Sequence, residues 1–355
     1  MYIPRFKITN NILKAVGVIE AAREVISNAP IVPSYEKQFQ SEAIVRTVYH
    51  GTHMEGNDLT LSQTKRVLEG QDVFARPRDI QEVINYRNVS TLLAELKHKR
   101  GSYEVKDLLD IHRATVSKIV SDDKVGVFRN TQVVIREEGT GKIIFTPPAA
   151  VEVPYMCDGF FGWLNSQEGI DVHSILRAGI AHYVLVTIHP FVEGNGRTIR
   201  AFSNLVLLKE GYDIKRFFAL EEHFDGDLDA YYQAFFEVDK QAPTIAERDL
   251  TPWLEYFTQV LAVESTKIKE RIRKLSIDSR LKIKIGEQIA LSERQMRIVE
   301  FISDQGNAIM KDLKKILPMV SDDTILRDVK DLLEKRVVKK EGSTKGAIYT
   351  MASRK

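Results

Sequence analysis

The sequence predicts a mainly α-helical protein with one β-hairpin and a smaller unit at its C-terminal end. Roughly the first two hundred residues carry apolar side chains at three- and four-residue spacing, the period of an amphipathic helix. One segment, "NTQVVIREEGTGKIIFTPP", instead has two short β-branched runs around a polar loop with glycines, which indicates a β-hairpin. The C-terminal segment returns to helical spacing and finishes with two runs typical of strands.

The helices can be placed from apolar spacing and terminal signals. Those before the hairpin are "NILKAVGVIEAAREVISNA", "SYEKQFQSEAIVRTVYHGT", "LSQTKRVLEG", "DIQEVINYRNVSTLLAELKHK" and "EVKDLLDIHRATVSKIV". Pro147 and Pro148 end the second strand, and helix resumes at "AVEVPYMCDGFFGWLNS". The nearly all-apolar "DVHSILRAGIAHYVLVTI" indicates a central buried helix. The next helix, "RTIRAFSNLVLLKEG", is expected to end with Gly211 as its C-cap.

The chain is long enough for more than one compact core. At 355 residues it exceeds the usual size of a single domain, so we expect two or three units. We predict a connecting helix in "TPWLEYFTQVLAVESTKIKERIRKLSIDSRLKIKIG". Its first part has helical spacing with an apolar face, and its later part is mostly charged. The predicted division is a helical region at 1–100, a core at 101–245, the connecting helix at 246–284 and a C-terminal domain at 285–355.

The C-terminal domain has the pattern of a winged helix-turn-helix. Three helices ("LSERQMRIVEFISDQG", "IMKDLKKIL" and "SDDTILRDVKDLLEKR") precede two strands around "STKG". Residues 265–355 carry 22 Lys+Arg against 13 Asp+Glu, a net +9, whereas residues 1–264 carry 29 against 36, a net −7. The basic balance favours DNA binding. Asp322, Asp323 and Asp328 on the predicted recognition helix would repel phosphates, which favours protein docking or dimerisation.

Composition favours a cytoplasmic protein. Hydrophobic residues at 43% and charged residues at 28% are typical of soluble globular proteins. The sequence shows neither a secretory signal nor a run long enough to span a membrane, so no membrane partner is expected. Cys157 is the only cysteine, which excludes an internal disulfide, and its apolar surroundings predict a buried core position.

The most informative stretch is "HPFVEGNGRTIR" at 189–200, between the predicted buried helix and the next one. A helix that begins directly after Gly194, Asn195 and Gly196 would direct unpaired N–H groups and its positive dipole end into the turn, which makes an anion site. Arg197 and Arg200 add forked donors suited to phosphate oxygens.

Two further side chains belong to the same stretch. Glu193 could hold the Mg²⁺ that accompanies a polyphosphate. His189, at the end of the preceding helix, can take a proton from a hydroxyl near neutral pH. The stretch therefore predicts a phosphoryl- or nucleotidyl-transfer site. His182, farther back on the same helix, is expected to be a hydrogen-bonded core histidine.

All nine specified positions match the motif H-P-F-x-[D/E]-G-N-G-R-x-x-R of the Fic (filamentation induced by cAMP) family. The chain also resembles that family in "GVFRNTQVVI" and in the hairpin with its double proline, so the resemblance covers roughly residues 10–240. It implies a Fic-type helical core with the activity of a protein adenylyltransferase, a nucleotidyltransferase. Such an enzyme transfers AMP from ATP, with Mg²⁺, to a Ser, Thr or Tyr hydroxyl of a protein substrate.

The resemblance also implies a role for each matched position. His189 would be the general base, Glu193 the Mg²⁺ ligand, and Arg200 the partner of the γ-phosphate. The cradle for the other phosphates would be Gly194, Asn195, Gly196 and Arg197, with Phe191 as a core anchor. The hairpin would be a flap that aligns the target backbone by strand addition. Further nucleotide contacts are expected from Ile144, Phe145, Thr146, Tyr231 and Tyr232, although two aromatics on a helix are as often core. Asp239 stands where some relatives have a ligand-binding Asn.

A second stretch, "GTHMEGN" at 51–57, resembles the end of an inhibitory helix with the pattern [S/T]-x-x-x-E-[G/N]. In relatives its glutamate pairs with the second arginine of the motif and prevents productive γ-phosphate binding. Here Glu55 would reach Arg200, although Gly51 occupies the Ser/Thr position. We expect autoinhibition that is weakened, because glycine loosens a helical turn by up to about 1 kcal/mol. A solvated, non-inhibitory Glu55 is the alternative.

Several functional alternatives stay open at this stage. Some relatives with the same glutamate also remove AMP, so de-AMPylation is one of them. Another is a Fic enzyme that uses UTP, GTP or a phosphocholine donor. A third, of a different class, is a DNA-binding regulator that uses the Fic core as a nucleotide sensor. Inhibition within the chain could also be tuned by self-modification or by contact in a homodimer.

Overall fold

A computed structural model of the chain describes residues 2–29, 33–99, 101–136, 141, 143–212, 219–285, 291–342 and 347–352. The chain divides into two compact units, residues 1–27 with 38–268, and residues 28–37 with 269–355. The finer prediction of four regions, with boundaries at 100, 245 and 284, stays a prediction.

Helices build nearly all of the larger unit, as predicted. They are α1 (Asn10–Asn28), α2 (Pro33–His53), α3 (Leu61–Leu68), α4 (Pro77–Leu96), α5 (Val105–Val116), α6 (Val153–Leu164), α7 (Gln167–Asp171), α8 (Ser174–Ile188), α9 (Asn195–Lys209), α10 (Leu220–Gly226), α11 (Leu228–Asp239) and the start of α12 (Thr251–Ile285).

The core of this unit is organised around α8. Nearly every residue of α8 is buried, because its sequence is apolar on all sides. It packs against α9 and α12, and Trp253 of α12 donates from Nε1 to the Gly179 carbonyl at 2.7 Å. Cys157 is fully buried in α6 as predicted, and burial raises the pKa of its thiol to about 12.

The ends of α9 follow from its sequence. Gly211 has a φ of +81° and donates to the Leu208 carbonyl, while Tyr212 donates to the Leu207 carbonyl. This is the two-bond C-terminal motif that a glycine after a helix predicts. At the other end α9 begins at Asn195 with Gly194 as N-cap. The expected start after Gly196 is therefore wrong by two residues, because Gly194 alone, with its φ of +77°, makes the turn.

The predicted hairpin is present as a short antiparallel pair. Strand β1 (Ile135–Arg136) pairs with β2 (Ile143–Phe145) through Ile135 opposite Phe145 and Arg136 opposite Ile143, with an irregular register between them. The loop residues 137–140 and 142 lie outside the described ranges.

The smaller unit contains helices and a three-stranded antiparallel sheet. Its elements are the end of α12, α13 (Glu293–Gln305), β3 (Asn307–Ile309), α14 (Met310–Ile316), α15 (Asp322–Glu334), β4 (Val338–Glu341) and β5 (Ile348–Met351). The strand order is β3-β5-β4, and a separate apolar core lies beneath α13 and α15. The short strand β3 was not predicted, and "STKG" at 343–346 lies outside the described ranges.

No helix within the described ranges has the length and apolar character needed to cross a membrane.

Two helical glycines allow a matched test of packing in the larger unit. A Cβ atom at Gly179 would lie 2.9 Å from Leu254 Cδ2 and from Phe257 Cδ1, whereas one at Gly17 of α1 would meet nothing within 4 Å. We expect Gly179→Ala to lower the free energy of unfolding, because overpacking costs about 1–3 kcal/mol against a propensity gain of up to about 1 kcal/mol.

Gly17→Ala keeps the propensity gain without the clash and should raise the free energy of unfolding. Urea unfolding followed by tryptophan fluorescence measures both, since Trp163 and Trp253 are the only tryptophans and lie in the larger unit. A stabilising Gly179→Ala would contradict the close α8–α12 packing.

Candidate active site

His189 lies where α8 ends, held in an unusual backbone conformation. Its φ of 49° and ψ of 64° are left-handed, a region that non-glycine residues rarely adopt. Burial lowers the pKa of its imidazole to about 4, although the Val186 carbonyl and the Glu55 carboxylate oppose the shift. Nδ1 has no partner of normal hydrogen-bond geometry among the described residues. The ring is therefore neutral at pH 7, as a general base must be.

The loop after His189 is braced from inside. Asn195 accepts a hydrogen bond from the Phe191 amide at 2.9 Å and donates to the Phe191 carbonyl at 2.8 Å. Phe191 is buried, as predicted, and stacks on His112 with ring centroids 3.7 Å apart. A Cβ atom at Gly194 would lie 2.5 Å from Val116 Cγ1. The side chain of Asn195 thus fixes the loop rather than pointing outward.

His112 of α5 stabilises the same loop through a hydrogen bond to its backbone. Its Nδ1 accepts from the Gly126 amide at 3.0 Å, so its Nε2 donates to the Glu193 carbonyl at 3.0 Å. Burial lowers the pKa of His112 to about 4. A neutral imidazole is therefore part of the support for the loop.

Arg197 is buried in a cluster of alternating charges. Its side chain is 2% exposed, with Nη1 3.2 Å from Glu82 Oε1 and Nη2 3.9 Å from Glu193 Oε1. Glu82 of α4 also pairs with Arg78 and accepts from Asn57 Nδ2 at 2.9 Å. Glu82 therefore ties the segment after α2 to the arginine of the motif.

Arg200 forms the contact expected with Glu55. Its Nη2 donates to Glu55 Oε1 at 2.9 Å and to the Gly51 carbonyl at 2.9 Å. The Arg200 side chain is 3% exposed and that of Glu55 is 29% exposed. Burial would raise the pKa of Glu55, but the charges of Arg200 and Arg197 outweigh it and the pKa is lowered. The carboxylate is thus ionised and paired.

The Glu55 carboxylate also occupies the space above the first turn of α9. A Cβ atom at Gly196 would lie 2.0 Å from Glu55 Oε1 and 2.9 Å from Arg200 Nη1. In the described part of the chain, Nε of Arg197 and Nε of Arg200 have no hydrogen-bond partner, and Nη1 of Arg197 has only its ion-pair contact with Glu82. Unpaired buried donors beside a helix N-terminus suit an anion of several oxygens. Glu55 stands in the position that such an anion would take.

The helix before Glu55 is fastened to α10 along one face. Arg46, His50 and His53 follow one another at helical spacing. Arg46 pairs with Glu222, and Nδ1 atoms of His50 and His53 each lie 2.7 Å from an oxygen of Asp225. These contacts join α2 to α10 from Arg46 to the last turn of α2.

Glu193 fits a magnesium ion only together with a ligand that brings its own oxygens. Its side chain is 33% exposed and pairs with Arg78, whose side chain is 54% exposed. No group of three or more His, Cys, Asp or Glu side chains within the described ranges could hold a metal. One carboxylate beside a phosphate site is a donor set that Mg²⁺ accepts when phosphates supply further ligands.

Arg129 connects the hairpin region to the end of α8. Its Nε donates to the His189 carbonyl at 2.8 Å, its Nη2 to the Pro148 carbonyl at 2.6 Å, and its amide to the Pro190 carbonyl at 2.9 Å. Phe145 is half-buried and Thr146 is exposed, while the side chain of Ile144 lies outside what the structure describes. One cation thus holds the hairpin exit and the histidine loop together.

The tyrosine pair of α11 divides into a core and a surface residue. Tyr231 is 4% exposed and its hydroxyl lies 2.9 Å from Nε2 of His182, the core histidine expected from the sequence. Tyr232 is 58% exposed. Burial raises the pKa of both phenols. Asp239 pairs with Arg248 at 2.6 Å.

Sequence reasoning missed Arg78, Glu82, His112 and Arg129. The first three lie on helices, where a charged side chain is usually solvated, and only their partners on other elements make them part of the site. Arg129 could have been found, since it belongs to "GVFRNTQVVI", a stretch already recognised as similar to the family.

Comparison with known proteins agrees with this geometry. Residues 102–207 match the model of the Fic/DOC family. A protein adenylyltransferase Fic of Culex quinquefasciatus is 32% identical over 201 residues, which cover 55% of this chain and 38% of that protein. The protein adenylyltransferase Fic of Aedes aegypti is 27% identical over 289 residues, which cover 72% of this chain and 56% of that protein. The match thus spans about half the length of these relatives or less.

Solved structures show the fold. A Fic family protein from Desulfovibrio desulfuricans G20 has a TM-score of 0.65 at 22% identity, covering 100% of this chain and 99% of that one. Fic-1 from C. elegans has a TM-score of 0.59 at 24% identity, and the match covers 74% of this chain and 72% of that one. Residues 102–207 therefore match a Fic/DOC family domain, and the chain is similar to solved Fic structures in its mainly helical fold and to the protein adenylyltransferases called Fic in part of its sequence.

Proposed function

We propose that the protein is an adenylyltransferase that transfers AMP from ATP to a Ser, Thr or Tyr hydroxyl of another protein. The observation that carries the proposal is a neutral His189 beside a helix N-terminus at which Nε of Arg197 and Nε of Arg200 have no hydrogen-bond partner among the described residues. The Fic/DOC match supports the nucleotidyl-transfer chemistry.

In this mechanism the chain's own groups position the triphosphate and move one proton. The N–H groups at the start of α9, with Arg197, bind phosphate oxygens, and Arg200 binds the γ-phosphate. The oxygen of the target hydroxyl bonds to the α-phosphorus, and His189 takes the proton of that hydroxyl. The bond from that phosphorus to the bridging oxygen breaks, and pyrophosphate leaves. Mg²⁺, held by Glu193 and the phosphates, would neutralise the charge of the leaving group.

In the same proposal Glu55 inhibits the reaction. Its carboxylate holds Arg200 and lies against Gly196, so the γ-phosphate and the carboxylate compete for one place. Two negative groups forced into one buried site repel each other strongly. The chain is therefore active only when Glu55 moves away. AMP removal and use of another nucleotide donor remain alternatives within the same site.

Replacing Glu55 should release transfer activity. We expect Glu55→Gly to gain the mass of one or more AMP groups on incubation with ATP and Mg²⁺, since Arg200 then becomes available, while the unchanged protein gains little. Intact-mass spectrometry measures this, with a cell lysate added as a source of target protein.

Asp58→Gly is the matched control, because Asp58 is a carboxylate of the same loop that pairs with Arg76 instead. It should behave like the unchanged protein. Adding His189→Ala to Glu55→Gly should abolish labelling. Equal labelling with and without Glu55 contradicts the inhibition, and labelling without His189 contradicts the assigned base.

The pH profile should show that the base is already neutral well below pH 7. The pKa of His189 is about 4 with Glu55 in place. Removing Glu55 takes away a charge that raises this pKa, and the bound triphosphate returns negative charge to the same position. In the Glu55→Gly protein, the labelling rate at saturating ATP and Mg²⁺ should change by about twofold or less between about pH 7.5 and 5.5. An imidazole with the ordinary pKa of about 6.5 would instead lose roughly tenfold. A tenfold fall in initial rate would contradict the buried environment of His189.

For the smaller unit we propose a winged helix-turn-helix that binds nucleic acid through α15 and the strand β4. Two of the acidic residues that argued against this on sequence grounds are paired. Asp328 is 8% exposed and pairs with Arg294, and Asp322 lies 3.0 Å from Lys314. Asp323 remains exposed on the helix. Protein docking and homodimerisation, the other expectations for this unit, stay predictions.

Binding of the full chain to duplex DNA should weaken steeply with salt. Lys339→Ala with Lys340→Ala should reduce the slope of log Kd against log salt by about 2, because each lysine neutralises one phosphate. Both lysines are exposed on β4. Lys14→Ala with Lys65→Ala removes the same charge from the larger unit and should leave the slope unchanged. Fluorescence anisotropy with a labelled duplex measures this, and no binding at low salt would favour protein docking.

A further inference from the structure

Arg129 is a buried cation that has no acidic partner in the part of the chain that the structure describes. Its side chain belongs to a residue that is only 3% exposed. Burial lowers the pKa of its guanidinium, and no carboxylate opposes this shift. An arginine nevertheless stays protonated in a protein. The positive charge of Arg129 therefore needs a negative group of another kind beside it.

That negative group is the C-terminal end of α8. Carbonyls at the end of a helix lack intrahelical donors and carry the negative end of the helix dipole. Arg129 Nε donates to the His189 carbonyl at 2.8 Å, and Nη2 donates to the Ile188 carbonyl at 3.4 Å. The amide of Arg129 also donates to the Pro190 carbonyl at 2.9 Å. One residue thus supplies donors to three successive carbonyls.

Backbone donors alone cannot close this helix end. The amide of His189 donates to the Leu185 carbonyl at 2.9 Å, which is the single bond of a left-handed helix end. A second bond would have to come from the next residue, but Pro190 has no N–H. The amide of Phe191 donates to Asn195 Oδ1 at 2.9 Å instead. Within the described ranges, the carbonyls at 188 and 189 therefore receive their donors from the side chain of Arg129.

His189 is the residue whose conformation this cap holds. Its φ of 49° and ψ of 64° are left-handed, which costs free energy for a residue with a Cβ atom, and a following proline restricts the backbone further. Such a conformation persists only where the surrounding structure holds it. Because the Cα–Cβ bond turns with the backbone, the direction of the imidazole depends on this conformation.

We propose that Arg129 is a positioning residue that caps α8 and thereby holds the general base His189 at the angle that proton transfer requires. The inference rests on the proposed function, in which His189 accepts the proton of a target hydroxyl. A displacement of about 1 Å can lower the rate of a reaction roughly a hundredfold. The hydrogen bonds of Arg129 to described residues do not reach the first turn of α9. Nucleotide binding there should therefore not depend on it.

Arg129→Lys tests the cap in the Glu55→Gly protein. Lysine keeps the charge but has one nitrogen, so it cannot replace the two nitrogens that bind the carbonyls of His189 and Pro148. We expect the labelling rate at saturating ATP and Mg²⁺ to fall by about tenfold or more. The Kd for α,β-methylene ATP, whose methylene bridge blocks the transfer, should change by about twofold or less, because the loss is confined to the reaction step. Calorimetric titration measures this Kd.

Arg177→Lys is the matched control. Arg177 is a second buried arginine, near the start of α8, and donates to the Leu164 carbonyl at 2.9 Å and to Glu210 at 2.6 Å. The substitution should lower the Tm without changing the labelling rate or the Kd. An unchanged rate in Arg129→Lys would overturn the proposal. So would an equal fall in rate in both variants, since the effect would then come from general destabilisation.

A second measurement follows His189 without any transfer. In protein labelled with ¹⁵N at the histidine amides, the NMR signal that is missing from His189→Ala identifies His189. Arg129→Lys should shift this signal by more than its linewidth and leave the signal of the exposed His98 in place, which shows that the variant is folded. Arg177→Lys should leave both signals in place. An unshifted His189 signal in folded Arg129→Lys would overturn the proposal.

The two measurements separate failure of this inference from failure of the proposed function. If the Glu55→Gly protein labels neither itself nor a protein of the lysate, the proposed function fails, and the amide signal alone decides whether Arg129 holds His189. If the protein labels and the signal shifts while the rate stays unchanged, the transferase stands and the positioning role is wrong.

Discussion

The buried guanidinium of Arg200 is the constraint on which the rest of the site depends. A cation that is 3% exposed needs a neighbouring negative group, and the Glu55 carboxylate supplies one at 2.9 Å. The same carboxylate lies in the place that an anion above Gly196 would take. In the proposed function, a phosphate of the bound triphosphate would replace the carboxylate at that point. Such an exchange would change the occupant and leave the electrostatic requirement of Arg200 unaltered.

Hydrogen bonds and ion pairs hold the elements on both sides of the Glu55–Arg200 pair. The histidine loop is held by the side chain of Asn195, by His112 and by Arg129. The helix α2 is held through His50 and its neighbours to α10. Glu55 follows α2 and is the more exposed partner in its ion pair with Arg200. In the proposed function, regulation confined to the turn that carries Glu55 would leave the phosphate-binding geometry intact.

The sequence predicted the parts of the site that are local, and missed those that depend on long-range contacts. The turn at Gly194, the C-cap at Gly211 and the buried α8 follow from short patterns, because backbone conformation and apolar spacing are local properties. Resemblance supplied the Glu55–Arg200 contact. Glu82 was not recognised, because a carboxylate on an amphipathic helix has the same sequence pattern whether it faces water or a buried arginine.

Arg129 has a consequence for how a target protein would be selected. The same guanidinium binds the carbonyl of His189 and that of Pro148, directly after the hairpin. In the proposed transferase, a target strand added to the hairpin and the base that acts on its hydroxyl would share this one link. An ill-fitting strand would then displace the imidazole while still being bound. Target proteins would then differ in the rate of AMP transfer rather than in binding affinity. A protein that binds tightly but fits the hairpin poorly would be modified slowly.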